Sequence, residues 1–303
     1  MSTGRNEHTP HTWRPPHEEE LLRTILERCP TNNLPVGAGQ DDAAVLPNRL
    51  VLNVDTMTRS RHIPRELNPK DLGWKFVAAT ISDVGAMGAR PRHFAFSITR
   101  DGKLEENPLI DGIARALRHH DLTLIGGDIV DGEEFSLTGV ALGELPGKPL
   151  RVDRARPGDV IAVTGPLGGP NAYVQAILND LQPPKELYRA FARPEPPIHL
   201  GIKLSQRNAR AAVTDISDGL LADAEIIARR SEVKLVIEAE RVPVHPRVED
   251  VATELDRDPL DVALEGGEDF EYLVCAPEEL AEELDLTVIG RVEPGPGTVE
   301  VEE

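Results

Sequence analysis

A chain of 303 residues is long for one core and fits two domains of roughly 150 residues each. Its formal net charge of −19 opposes phosphate-covered surfaces, so no nucleic-acid partner is expected. No apolar run approaches the ~20 residues of a membrane span, so no membrane partner is expected either.

The first 17 residues are polar and rich in Pro and His, and are expected to form a disordered tail with no secretory signal. Only 4% of residues are aromatic, so the cores must be built from Val, Leu, Ile and Ala. Two distant cysteines, Cys29 and Cys275, match no metal spacing and read as reduced, buried thiols in a cytoplasmic protein. Seven Lys against 26 Arg, with 52 Asp and Glu, point to a surface suited to high salt.

In chain order, "EEELLRTILERC" (18–29) has helical periodicity, with acidic residues in its first turn. "RLVLNVDTMT" (49–58) predicts a strand. "NPKDLGWKFVAATISDVGAMGARP" (68–91) predicts a long helix, capped by Asn68 and closed at Gly88 before Pro91. A strand (92–99), a helix (109–121) and two strands (122–130 and 134–145) follow. The Pro/Gly stretch at 147–158 marks a boundary between an N-terminal domain, 18–147, and a C-terminal domain, 148–303. The second half opens with a strand, a Gly/Pro loop and a helix over 160–178, then helices near 185–192 and 199–207. "AAVTDISDGLLADAEIIARR" (211–230) reads as strand, acidic turn and helix. "VKLVIEAE", "DFEYLVCA" and "LDLTVIGRVE" are further strands, "PEELAEEL" is a short helix, and "EPGPGTVEVEE" is expected to be a tail. The fold class is therefore mixed α/β (α+β) in two domains.

No phosphate loop announces itself. "GELPGKP" (143–149) is one residue short of a Walker loop, and "GAGQDD" (37–42) puts Asp42 where a dinucleotide fingerprint needs glycine. What recurs is Asp at the ends of regular elements: Asp41 and Asp42, Asp55, Asp83, Asp128, Asp215 and Asp218. Carboxylates without matching His or Cys suit hard cations held through oxygen, Mg²⁺ foremost. Asp41 and Asp42 are neighbours on an extended segment, so their side chains should face opposite ways. The two acids therefore need not do the same job.

The ordered set "GAGQDDAAVL", "VDTMT…H", "NPKDLGWKFVAATISDVGAMGARP", "LIGGD", "RARPGDVIAVTGPLG", "TDISDGLLAD" and "EGGEDFEYLV" resembles the thiamine-monophosphate kinases. These belong to the superfamily of aminoimidazole ribonucleotide synthetase and selenophosphate synthetase, and the likeness runs from about 18 to 292. The resemblance implies ATP- and Mg²⁺-dependent phosphorylation of thiamine monophosphate to thiamine diphosphate. It also implies a two-domain PurM-like fold whose N-terminal domains pair into a β-barrel in a homodimer. Carried over, Asp42, Asp55, Asp83, Asp128, Asp215 and Asp218 are ligands for several Mg²⁺ ions. Gly127, Asp128, Arg154 and Ser217 contact ATP, His62 contacts the thiamine phosphate, and Glu268 contacts the substrate. The attacking phosphate oxygen is already ionised, so no general base is required.

Two departures stand out. Asn53 and Val54 occupy positions where the family has Ser/Thr-Thr, so Asn53 has only its carbonyl to offer a metal and Val54 only its backbone. The family's late aromatic, which stacks on the thiamine base, has no counterpart after "IGRVEPGPGTVEVEE". Two alternatives therefore stay open: another ATP-using enzyme of the superfamily (an aminoimidazole ribonucleotide synthetase or hydrogenase-maturation relative), or a nucleotide-binding protein without turnover.

Overall fold

The computed structural model describes residues 18–30 and 33–302; the tail expected over 1–17 lies outside them. The first half runs α1 (Glu18–Arg28), β1 (Ala44–Leu46), β2 (Leu50–Thr58), α2 (Arg59–His62), α3 (Pro69–Ala86), β3 (Arg90–Arg100), α4 (Glu106–His119), β4 (Thr123–Asp131) and β5 (Ser136–Glu144). Its sheet has the order β1-β2-β5-β3-β4. β5 pairs antiparallel with β2 and β3, and α4 makes the crossover that lets β3 and β4 run parallel.

Helix α3 is the axis of the molecule. Asn68 caps it by accepting from the Asp71 amide at 2.9 Å, and Pro69 occupies the first turn. From Asp71 to Ala86 every residue but Asp83 is buried. A helix buried on all sides must have neighbours all round. On one side are β2, β5 and α4, and on the other are elements of the second half. Its crossing with α4 is glycine on glycine. A Cβ on Gly73 would lie 2.4 Å from the Leu109 carbonyl oxygen, and one on Gly112 would lie 1.9 Å from that of Lys70.

The second half contains β6 (Val160–Val163), α5 (Gly169–Leu178), α6 (Lys185–Ala192), α7 (Ile198–Gln206), β7 (Ala212–Asp215), α8 (Leu220–Ser231), β8 (Val233–Glu238), α9 (Val248–Glu254), α10 (Pro259–Glu265), β9 (Tyr272–Ala276), α11 (Glu278–Glu283), β10 (Thr287–Pro294) and β11 (Thr298–Glu302). These strands form a second sheet in the order β11-β8-β10-β6-β9-β7. The mixed α/β, two-domain class expected from the sequence is the class observed.

Three local expectations need correction. The C-terminal stretch is not a tail: β11 pairs parallel with β8 after a turn at Gly297 (φ 82°). Its acidic run is matched by charges from other strands, with Arg291 forked onto Glu302 at 3.0 Å and Lys234 against Glu300 at 2.5 Å. Helices α9 and α10 were not anticipated, although Asp258 before Pro259 is a recognisable cap that accepts from the Leu260 amide at 2.8 Å. Cys275 is buried as expected, but Cys29 is exposed because α1 ends at the surface.

The α3–α4 crossing leaves no room for a side chain. Gly112→Val should destabilise the chain by at least ~2 kcal/mol through overpacking, read as a lower midpoint in urea. A midpoint equal to the parent's would contradict this packing.

Candidate functional site

The loop 37–42 connects α1 to the first sheet. Gly39 adopts φ 69°, and the Gly37 amide donates to Gln40 Oε1 at 3.0 Å, so the loop turns sharply before its two acids. Asp41 faces the segment after β5: it accepts from the Val152 amide at 3.3 Å and lies 3.7 Å from the Arg151 guanidinium. Asp42 faces the other way, accepting from the Thr214 hydroxyl of β7 at 2.9 Å through Oδ1. Its Oδ2 is buried and has no hydrogen-bond partner among the described residues. The two carboxylates take different partners although they lie in a bend and not on a strand, with the Asp42 amide donating to Asp41 Oδ1 at 3.2 Å, and Asp41 is a tie to the chain segment joining the two sheets.

Asp42 lies within Coulombic reach of Asp83 and Asp215, and Asp55 lies within reach of those two. Asp83 comes from the C-terminal half of α3, Asp55 from the middle of β2, and Asp215 from the last position of β7. Burial holds Asp42 and Asp83 well above the ordinary carboxylate range, and repulsion adds to it. Asp215 acts on both, and Asp42 and Asp55 act on Asp83. Burial also raises Asp55, and it pushes Asp215 up to about 6, with Asp218 and Asp55 adding repulsion. No lysine or arginine among the described residues forms an ion pair with Asp42, Asp83 or Asp215. Asn53 donates from Nδ2 to the Thr80 carbonyl at 3.1 Å and to Asp83 Oδ2, which leaves its own carbonyl oxygen uncommitted by those bonds. Among the described residues no three acidic, His or Cys side chains close on one point as a ready metal cage. The arrangement is an acidic basin whose side-chain donors are oxygens.

Several contributors escaped the sequence reading. Asp223, in the first turn of α8, accepts from the amides of Ser217, Asp218 and Gly219 at 3.0–3.1 Å, and so fixes the "SDG" turn. Three backbone donors on one oxygen at a helix start make a cap, and an Asp four residues after "SDG" was the available signal. Asp269 receives the Gly168 amide at 2.9 Å. Tyr272, buried on β9, donates from its hydroxyl to the Ser82 carbonyl at 3.2 Å, linking α3 to the second sheet. Lys75 lies wholly buried on α3 in an ion pair with Glu268.

The other expected residues fall in two groups. His62 and Glu268 gather at Asp55: the histidine lowers its pKa, the glutamate raises it, and burial outweighs both. His62 Nδ1 accepts from the Thr58 amide at 3.1 Å, which orients the ring. Ser217 sits in the turn that Asp223 holds. Gly127 and Asp128 do not join this set within one chain. β4 is exposed along its whole length, and Asp128 makes no polar contact with the buried carboxylates. Arg154 donates to the Pro149 carbonyl at 3.1 Å, and the Val54 side chain points to solvent.

The family model of the AIR synthase related protein N-terminal domain matches residues 40–145, and that of its C-terminal domain matches 156–302. Thiamine-monophosphate kinase of Methanopyrus kandleri is 57% identical over 297 residues, covering 98% of this chain and 96% of that protein. The protein of the same name from Pyrococcus abyssi is 36% identical, covering 92% of this chain and 89% of its own length. A solved structure described as AaThiL complexed with AMPPCP and TMP superposes with a TM-score of 0.82 at 31% identity, covering 93% of this chain and 91% of that one.

The basin has a pH signature in metal-free protein. Asp215 binds a proton more tightly when folded than when unfolded, so its contribution to stability is complete below 3.8 and is lost as pH rises through about 6. In EDTA, Asp215→Asn should flatten that decline and exceed the parent's stability at neutral pH by ~2 kcal/mol, read from thermal melts across pH. Parallel curves for the two proteins would contradict the buried, repelled carboxylate.

Proposed function

The chain belongs to the AIR synthase related family, and we propose that it phosphorylates thiamine monophosphate to thiamine diphosphate with ATP as donor. The supporting observation is the buried acidic basin assembled from both halves of the chain, with Asp42 Oδ2 left unpartnered. The relatives named thiamine-monophosphate kinase match nearly the whole chain, which favours this reading over another superfamily activity.

In the transfer, an oxygen of the substrate's terminal phosphate forms a bond to the γ-phosphorus. The bond from that phosphorus to the β,γ-bridging oxygen breaks, and ADP departs with its electron pair. The attacking oxygen is anionic, so the protein's tasks are placement and charge. A bare acidic basin would repel both phosphates. Its donors are hard oxygens, which fit Mg²⁺, and Asp42, Asp55, Asp83, Asp215 and Asp218 would hold it beside the Asn53 carbonyl and the Val54 backbone oxygen. When bound, such ions supply positive charge toward the phosphate oxygens. In this reading Arg154 and Ser217 meet the nucleotide, His62 meets the thiamine phosphate, and Glu268 meets the substrate.

A second copy of the chain belongs to the same reading. β4 exposes Leu124, Ile125, Ile129 and Val130, with Ile129 at 63%, on an unpaired edge. An apolar, unprotected edge strand calls for a covering partner. A homodimer across this edge is also how Gly127 and Asp128 would join a nucleotide site. The first sheet, within 18–147, would then carry pairing, and 148–303 would complete the pocket.

Purified chain given ATP, Mg²⁺ and thiamine monophosphate should release thiamine diphosphate and ADP in equal amounts; folded protein yielding no thiamine diphosphate would overturn the proposal. Asp83→Asn should lower kcat by ~10²-fold or more while leaving the fold intact by circular dichroism. Ile129→Lys should convert a dimer to a monomer in sedimentation velocity and abolish turnover with it. A parent that sediments as a monomer yet turns over would contradict the role given to β4.

A further inference from the structure

Lys75 occupies an unusual position for a cation. It lies mid-way along α3, within the run "GWKFVAAT", and its side chain is 0% exposed. Its ammonium makes one ion pair, 3.0 Å from Glu268 Oε1, and stands 3.2 Å from the centroid of the Phe191 ring. Among the described residues it has no other polar partner. Taking an ammonium out of water costs several kcal/mol, which a single ion pair and a ring face offset only in part. A methionine of similar volume would fill the same space without that cost. Packing therefore does not explain the charge.

Its partner is held with equal insistence. Glu268 adopts φ 67°, a left-handed conformation that a non-glycine residue takes only when its surroundings impose it. Its amide donates to the Ser217 carbonyl at 2.8 Å. The preceding Gly267 packs so closely on the same turn that a Cβ would lie 2.1 Å from the Ser217 oxygen. The Glu268 carboxylate is anchored at Oε1, its side chain remains 30% exposed, and its charge reaches Asp55, on which His62 also acts. Three segments thus meet at one ion pair: α3, the end of α6 and the connection from α10 to β9.

We propose that Lys75 is a positioning residue for the phosphate-acceptor substrate, acting through Glu268. The buried ammonium pins one carboxylate oxygen, so the exposed part of the group stands at a fixed place as a hydrogen-bond acceptor. It also offsets the charge of Glu268, so this acid adds less than a free carboxylate would to the repulsion that the basin exerts on incoming phosphates. The matching ligand chemistry is an N–H donor on the non-phosphate part of the acceptor, such as the amino group of an aminopyrimidine. This inference rests on the assignment of Glu268 to the thiamine monophosphate substrate.

The test is steady-state kinetics on the full chain for the parent, Lys75→Met, Glu268→Gln and the double variant. Lys75→Met should fold with a Tm at or above the parent's and raise KM for thiamine monophosphate ~10-fold, with KM for ATP and kcat within ~2-fold. Glu268→Gln should give the same split but a lower Tm, because it strands a buried cation, and adding Lys75→Met should restore the Tm without a further rise in KM. Equal rises in both KM values, an unchanged KM for thiamine monophosphate, additive effects in the double variant, or a Lys75→Met chain that does not fold would each overturn the proposal. A parent without thiamine diphosphate synthesis would remove the underlying reading instead, and that result is visible before any variant is made.

Discussion

Asp215 is buried and Asp42 and Asp83 are half-buried, the three lie within Coulombic reach of one another, and no lysine or arginine among the described residues is paired with any of them. Left alone, such a group is costly: each carboxylate loses hydration and gains a repelling neighbour. The fold keeps them together because each is fixed by a different element: the loop before β1, the helix α3 and the end of β7. The basin stores a demand for positive charge that a divalent cation arriving with a polyphosphate would meet.

The rest of the architecture follows from α3. A helix buried on both sides can present Asp83 to the second half of the chain while its other face seals the first sheet. The glycine crossing with α4 brings the layers close, and the Tyr272 hydroxyl on the Ser82 carbonyl fixes the second sheet against the same helix. Lys75, two turns before Asp83, reaches the loop that carries Glu268. One helix therefore sets both the acidic basin and its neighbouring ion pair.

Much of this was legible. Asp41 and Asp42 do take different partners as expected, though in a bend before β1, and the long helix follows from Asn68, Pro69 and Gly88. Asp55, Asp83 and Asp215 stood out as acids expected at the ends of regular elements; Asp215 does end β7, whereas Asp55 lies in the middle of β2 and Asp83 within α3. What stayed hidden depended on distant partners. Lys75 looked like one charge in a helical pattern until the fold closed apolar elements around it, although a lysine inside "GWKFVAAT" was a signal. Asp223 read as a helix residue because its three amide donors belong to a turn whose shape the sequence does not display. β11 read as a tail because Lys234 and Arg291, which match its charges, lie on other strands. Asp128 was grouped with the other acids by residue pattern as well as by resemblance, whereas in one chain it lies on an exposed edge.

The central claim is that the basin is an unfavourable charge cluster relieved by cation and nucleotide together. Its most direct test is the Tm of the parent at pH 8 in EDTA, in Mg²⁺, and in Mg²⁺ with a non-hydrolysable ATP analogue. The account predicts stepwise increases across the three conditions, with Asp42→Asn starting higher in EDTA and gaining less. Identical melting of the parent in all three would contradict it.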